Sequence, residues 1–306
     1  MARDHGSEVK GPQDAKSHYY DSLGELAAAV DEIFKRPGPR HDGLVAADER
    51  NPAFYGHDFP NFAAIRGAID RGWLKGAAKI EKLRAEAGPA IDRIRERSEA
   101  LVFDVSGQWL DVGRMLDGEP ECFGSFAQVD YGGGSSKVIR VDINIACSCG
   151  VSPEQFARRG AAAAAFVDLL ESSGRRVELH AVAGIYGNRV NDPIKRSQLI
   201  RVKIKSASEP LDLSRVAVAI VDPGVFRRMM LAVAENEGVN SGRSYPAPYR
   251  GSLLPPEHAD FANVEDAIVF DQMHLGALDE AGGFRPFLAR SLEKLGINVE
   301  GLFAAD

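Results

Sequence analysis

From Lys137 to Val182 the chain runs strand, loop, long helix and strand without a break, and this order constrains the fold more than any other stretch. Val138 to Ala146 alternates strictly, with Ile139, Val141, Ile143 and Ile145 on one side and Arg140, Asp142 and Asn144 on the other, the period of a strand with one buried face. Ser152 as N-cap, Pro153 in the first turn and Gly174 as stop bound a helix from Pro153 to Ser173. Val177 to Val182 then resumes a strand, Val177, Leu179 and Ala181 inward and Glu178 and His180 outward. Strands joined across a helix lie parallel with a right-handed crossover, so the expected class is α/β with a mainly parallel, Rossmann-like sheet and flanking helices. The loop after the first strand, Cys147-Ser-Cys-Gly-Val-Ser-Pro, is where such sheets carry ligands.

Leu199 to Lys205 repeats the alternation, with Arg201, Lys203 and Lys205 outward, so three strands share a polar face. Sheets covered on both sides read as continuous apolar runs. These strands do not, and the expectation is cross-strand ion pairing among Arg140, Asp142, Glu178, Arg201 and Lys203 on a solvated face, or burial of that face beneath the helical N-terminal section. Asp142, Asn144 and His180, with Asp271 and His274 after a late strand at Ala267 to Phe270, also make a carboxylate, amide and imidazole set suited to a divalent ion or to acid–base work. That set defines a second functional reading, a metal-dependent hydrolase or nuclease.

Around this unit the chain divides into a polar tail at 1–17 without periodicity, a helical section at 18–99 and the α/β domain at 100–306. In the helical section, Leu23, Leu26, Ala27 and Val30 share one face of a helix that begins after Asp21 or Ser22. Leu101 to Val105 and Glu121 to Val129 read as strands separated by a helical turn at Asp111 to Leu116. Leu213 to Ile220, capped by Asp212, suits helix or strand. Asp222-Pro-Gly opens a helix from Val225 to Glu237 with Arg227 and Arg228 exposed, and Phe284 to Leu295 closes the chain as an amphipathic helix. The loop at 238–256 is long enough to be functional and carries Arg243, Tyr245, Tyr249 and Arg250.

Several chemistries lack their residues. Gly132-Gly-Gly-Ser-Ser-Lys137 precedes a strand, whereas a phosphate loop must precede a helix. Cys147 and Cys149 stand where a phosphatase nucleophile would lie, but the positions for its arginine hold Pro153 and Gln155, and a lone Cys-x-Cys pair does not complete a tetrahedral metal site. The basic residues at 66–97, among them Lys75, Lys79, Lys82, Arg93 and Arg97, define a third reading, nucleic-acid binding, against which Glu81, Glu86, Asp92 and Glu96 set ordinary i,i+4 pairing. With 44 acidic against 37 basic residues, net −7, general attraction to nucleic acid or anionic lipid is not expected. An odd count of three cysteines, a polar Met1 to Lys16 and the lack of a long apolar run point to a cytoplasmic protein without a membrane span.

The order strand, loop, long helix, strand, edge-like strand, helices and a strand ending Val269-Phe270-Asp271 resembles a von Willebrand factor A-like domain from about Val138 onward. The family carries Asp-x-Ser-x-Ser in the loop after its first strand and binds partners through Mg²⁺. At that place this chain has Ala146-Cys147-Ser148-Cys149-Gly150, in which only Ser148 agrees, while Asp271 stands for the acidic residue after the late strand. The resemblance therefore implies a degenerate site, with Mg²⁺ as the ion it would take if any, and a non-enzymatic protein that holds a protein partner at its sheet-end loops. The whole also looks like uncharacterised bacterial and tailed-phage proteins, which implies an ATPase or a phage component as the partner.

Overall fold

A computed structural model describes residues 3–4, 16–35, 58–82, 85, 99–128, 138–147, 151–172, 175–186, 197–236 and 267–270. The elements in chain order are β1 (Arg3–Asp4), β2 (Lys16–Tyr20), α1 (Leu23–Lys35), α2 (Phe62–Arg71), α3 (74–82), β3 (Glu99–Asp104), β4 (Trp109–Leu110), α4 (Val112–Leu116), β5 (Phe123–Gln128), β6 (Val138–Asn144), α5 (Pro153–Ser172), β7 (Arg176–Tyr186), β8 (Ser197–Lys205), α6 (Leu213–Ile220), a π-helical segment (Val225–Met230) that continues into α7 (Leu231–Asn236), and β9 (Ala267–Phe270).

The main sheet has six strands in the order β1-β2-β8-β7-β6-β9. β9 and β7 flank β6 in parallel, β8 runs antiparallel to β7, β2 is parallel to β8, and β1 closes the edge antiparallel to β2. The class is thus mixed α/β with mainly parallel pairing. Strands β3, β5 and β4 form a separate antiparallel sheet of three. The polar tail expected at 1–17 contributes β1 and the start of β2 to the sheet. Local sequence does not announce these strands, because β2 finds its partner in the edge of β8 some 180 residues away and β1 pairs on β2 in turn.

The alternation of β6, β7 and β8 divides the sheet as the sequence implies. Val141, Ile143, Val177, Leu179, Ala181, Ile200 and Val202 are buried in one apolar cluster with α1, α5, α6, the π-helical segment and α7. Leu23, Leu26, Ala27 and Val30 of α1 belong to it. Ser152 and Gln155 cap α5 reciprocally, the hydroxyl accepting from the Gln155 amide at 3.2 Å and the Gln155 side chain accepting from the Ser152 amide at 3.0 Å. The run Ala161 to Ala165 is wholly buried, and its small side chains let α5 lie close against α6.

Among the described residues, the N-terminal helix α1 joins the apolar side of the sheet. α2 packs on α1 and α6, and the Trp73 amide that leads into α3 donates to the Ser214 carbonyl at 2.9 Å. Apolar positions on these helices, such as Ile65 and Ile80, are buried in the same apolar cluster. α2 ends at Gly72, whose φ of +80° is one that a side chain would resist. Leu213–Ile220 is a helix, started by Asp212, whose carboxylate accepts from the amides of Ser214 at 2.9 Å and Arg215 at 3.3 Å.

The expected helix from Val225 is corrected. Its first part is π-helical, and Arg227 and Arg228 are buried, 1% and 3% exposed, rather than facing water. With i→i+5 bonding the side chains leave the 3.6-residue period on which the expectation of exposure rested.

Candidate functional site

Asp142 and His180 are directly paired in the parallel register of β6 and β7, and His180 is in turn opposite Lys203 on β8. Both Asp142 and His180 are 1% exposed, so the polar face is not solvated at its centre. Asp142 accepts from Arg140 Nε at 3.0 Å and Nη2 at 3.3 Å, and from Arg201 Nη2 at 3.0 Å. His180 places Nδ1 3.3 Å from Asp142 Oδ1 and Nε2 3.4 Å from Glu178 Oε1. Burial pushes the Asp142 carboxyl up, but the imidazole beside it and the charges of Arg201 and Arg140 prevail and hold it down at about 2. A carboxylate so compensated neither takes a proton near neutrality nor offers a lone pair to a dication, and the cluster acts as a clamp between strands.

Asn144, the third residue of the expected set, turns back on its own chain: its side-chain oxygen accepts from the Ala146 amide at 3.0 Å. Among the described residues its Nδ2 is buried without a partner, beside a cavity of about 20 Å³ that Cys147, Phe156, Arg159, Gly160 and Ile220 also line. That space suits one water molecule. Cys147 is buried, and Arg227 Nη2 donates to its sulfur at 3.2 Å and to the Val151 carbonyl at 3.3 Å. Ser148, Asp271, Arg243, Tyr245, Tyr249 and Arg250, the other expected site residues, lie outside the described residues. Among the described residues no three His, Cys, Asp or Glu side chains gather as a metal group would require, and no helix is long and apolar enough to cross a membrane.

An opening lies beside the start of α5, the helix that follows β6. It is a cleft of about 420 Å³ between α3, α5 and the end of α6. Pro153, Ala157, Ala161 and Val221 give it an apolar surface, and Asp58, Lys79, Lys82, Glu154, Arg158 and Asp222 supply charge. Asp58 is engaged by Lys79 at 3.1 Å and Lys75 at 3.8 Å, and Lys79 also stands 5.0 Å over the Trp73 ring. Asp222 is 4% exposed, and its one hydrogen bond among the described residues runs from the Gly224 amide to Oδ1, at 2.7 Å. Burial drives its carboxyl up to about 7; the Gly224 bond and the charges of Lys79 and Arg227 pull down and Asp58 pushes up.

Sequence reasoning missed this cleft. Lys79 and Lys82 belong to a basic helix face and Asp222-Pro-Gly to a helix start that the sequence shows, but only tertiary packing brings them within one opening.

A family model described as a domain of unknown function, DUF7192, matches residues 7–299, and the chain belongs to that family. No curated protein matches the chain. No solved structure matches it.

Proposed function

We propose that this chain is a non-enzymatic binding or assembly protein, built on a degenerate von Willebrand A-like sheet, that holds a protein partner at the ends of its strands. The observation that carries the reading is the cleft beside the N-terminus of α5, on the side of the sheet where β6 gives way to its helix. Ligands of open α/β sheets bind outside the carboxyl ends of the strands, where connections diverge to either side. Here β6 stands between β7, reached through α5, and β9, which the chain reaches only much later. The order β8-β7-β6-β9, with β8 alone reversed among these strands, supports the A-like assignment.

Hydrolytic chemistry has less support. Asp142 and His180 do come together, but with both carboxylate oxygens on guanidinium groups they form a structural clamp. Nucleic-acid binding has little, since Arg66 pairs with Asp31, and Lys75 and Lys79 share Asp58.

The test is site-directed photo-crosslinking of the full chain in extract of its native cell. A photoreactive residue at Lys82 or Glu154, both exposed at the cleft, is expected to give a discrete protein adduct that the same group at exposed Glu209 does not give. Equal adducts at all positions, or none at the cleft, would overturn the reading.

A further inference from the structure

We propose that the cleft receives a cationic side chain of the partner, a lysine or an arginine, its aliphatic stem over Ala157, Ala161 and Val221 and its charged head at Asp222. This rests on the partner-binding reading and specifies what the partner must present. The volume of about 420 Å³ falls within the range of roughly 300–1,000 Å³ typical of ligand sites.

The sign of the ligand follows from where the charges sit. Lys82, Glu154 and Arg158 are exposed at the rim, where water screens them. Lys79 is matched by Asp58. The charge-bearing group buried in the lining is Asp222, 4% exposed and with one oxygen still able to accept a bond. An anion entering the cleft would meet that carboxyl, whereas an ammonium or guanidinium group would neutralise it. The apolar surface suits the stem of such a side chain, which buries its methylenes while its head finds a polar partner.

The groups around Asp222 fix the pH response. Asp58, Lys79 and Arg227 act on it most, with Glu154, Arg158 and Lys82 at the rim. Because burial holds the unoccupied carboxyl largely protonated below neutrality, a cation must displace its proton and binds more tightly as pH rises.

The experiment is calorimetric titration of the full chain with Nα-acetyl-lysine amide and Nα-acetyl-arginine amide, against Nα-acetyl-glutamate amide and inorganic phosphate. Cationic probes are expected to bind, roughly tenfold more tightly at about pH 8 than at about pH 6, and to lose that response in Asp222→Asn. Lys82→Glu, a substitution at the exposed rim, is expected to tighten their binding, and it keeps the test decisive if Asp222→Asn fails to fold. Anionic probes that bind more tightly as pH falls, or cationic binding that neither pH nor Lys82→Glu alters, would overturn the assignment. No partner enters this titration, so its failure removes the cationic head alone, while failure of the crosslinking removes the partner reading.

Discussion

Gly160 on α5 faces the carbonyl oxygen of Ile220 on α6 so closely that a Cβ built on it would lie 1.7 Å from that oxygen. The contact sets how near the two helices approach, and with it the side of the cleft formed by Ala157, Ala161 and Val221. Gly160→Ala should force the helices apart and destabilise the protein by about 1–3 kcal/mol, the usual cost of overpacking. Denaturant titration checks this; an unchanged midpoint would mean that the helices slide at no cost.

Asp142→Asn should be among the most damaging single substitutions on the sheet. It removes the countercharge from two guanidinium groups, Arg140 on its own strand and Arg201 on β8 beyond β7, and breaking a buried pair in this way costs about 3–5 kcal/mol. Circular dichroism on heating gives the result, and replacing Arg140 and Arg201 together with apolar residues in the same background should recover part of the loss.

Two carboxylates set opposite pH dependences. The folded Asp142 carboxyl lies at about 2, below its ordinary 3.8, so its stabilisation is present above about pH 4 and is lost as pH falls toward 2, on the order of 2 kcal/mol in all. Asp222 is raised from 3.8 to about 7, so its contribution is fully present below about pH 4 and is lost as pH rises through 7. Asp222→Asn should therefore gain stability relative to the native sequence between about pH 4 and pH 8, by a few kcal/mol at most. Melting curves over that range decide the matter, and a difference independent of pH would contradict it.

Asp212→Ala should cost about 1 kcal/mol by stripping the cap from α6, leaving the Ser214 and Arg215 amides without their acceptor. Asp212→Asn or Asp212→Ser, which keep an acceptor, should restore most of it. The hydrogen exchange of those two amides provides the readout.

Much of this fold is legible residue by residue. The alternation of Ile139 to Ile145 sorts both faces of β6, and Ser152 and Pro153 announce α5, because those signals are local and depend on backbone geometry alone. What the sequence hides are features made by distant partners. β1 and the start of β2 read as a polar tail until β8 lies beside β2. Arg227 reads as solvent-facing until the turn widens and Cys147 and Val151 take its guanidinium. The expectation of ion pairs across the polar face holds for Asp142 with Arg140 and Arg201, but the burial of Asp142 and His180 is a property of the packed molecule that no period of two reveals. The cleft is the extreme case, since α3, α5 and α6 each give it a few residues and none alone has the look of a site.

Asp21, at the end of β2, holds Lys203 of β8 across 182 positions of sequence, and among the described residues β2 pairs with no strand emerging earlier than β8 except the two residues of β1. During synthesis β2, with only β1 beside it, must therefore wait for β8 some 180 residues later, and β6 must wait again for β9 on its far side. Contacts of such long separation are slow to form. The sheet is complete only once β9 has emerged, so chains truncated before β8 carry a strand edge with no strand among the described residues to receive it, and those are the species a cell must guard against aggregation.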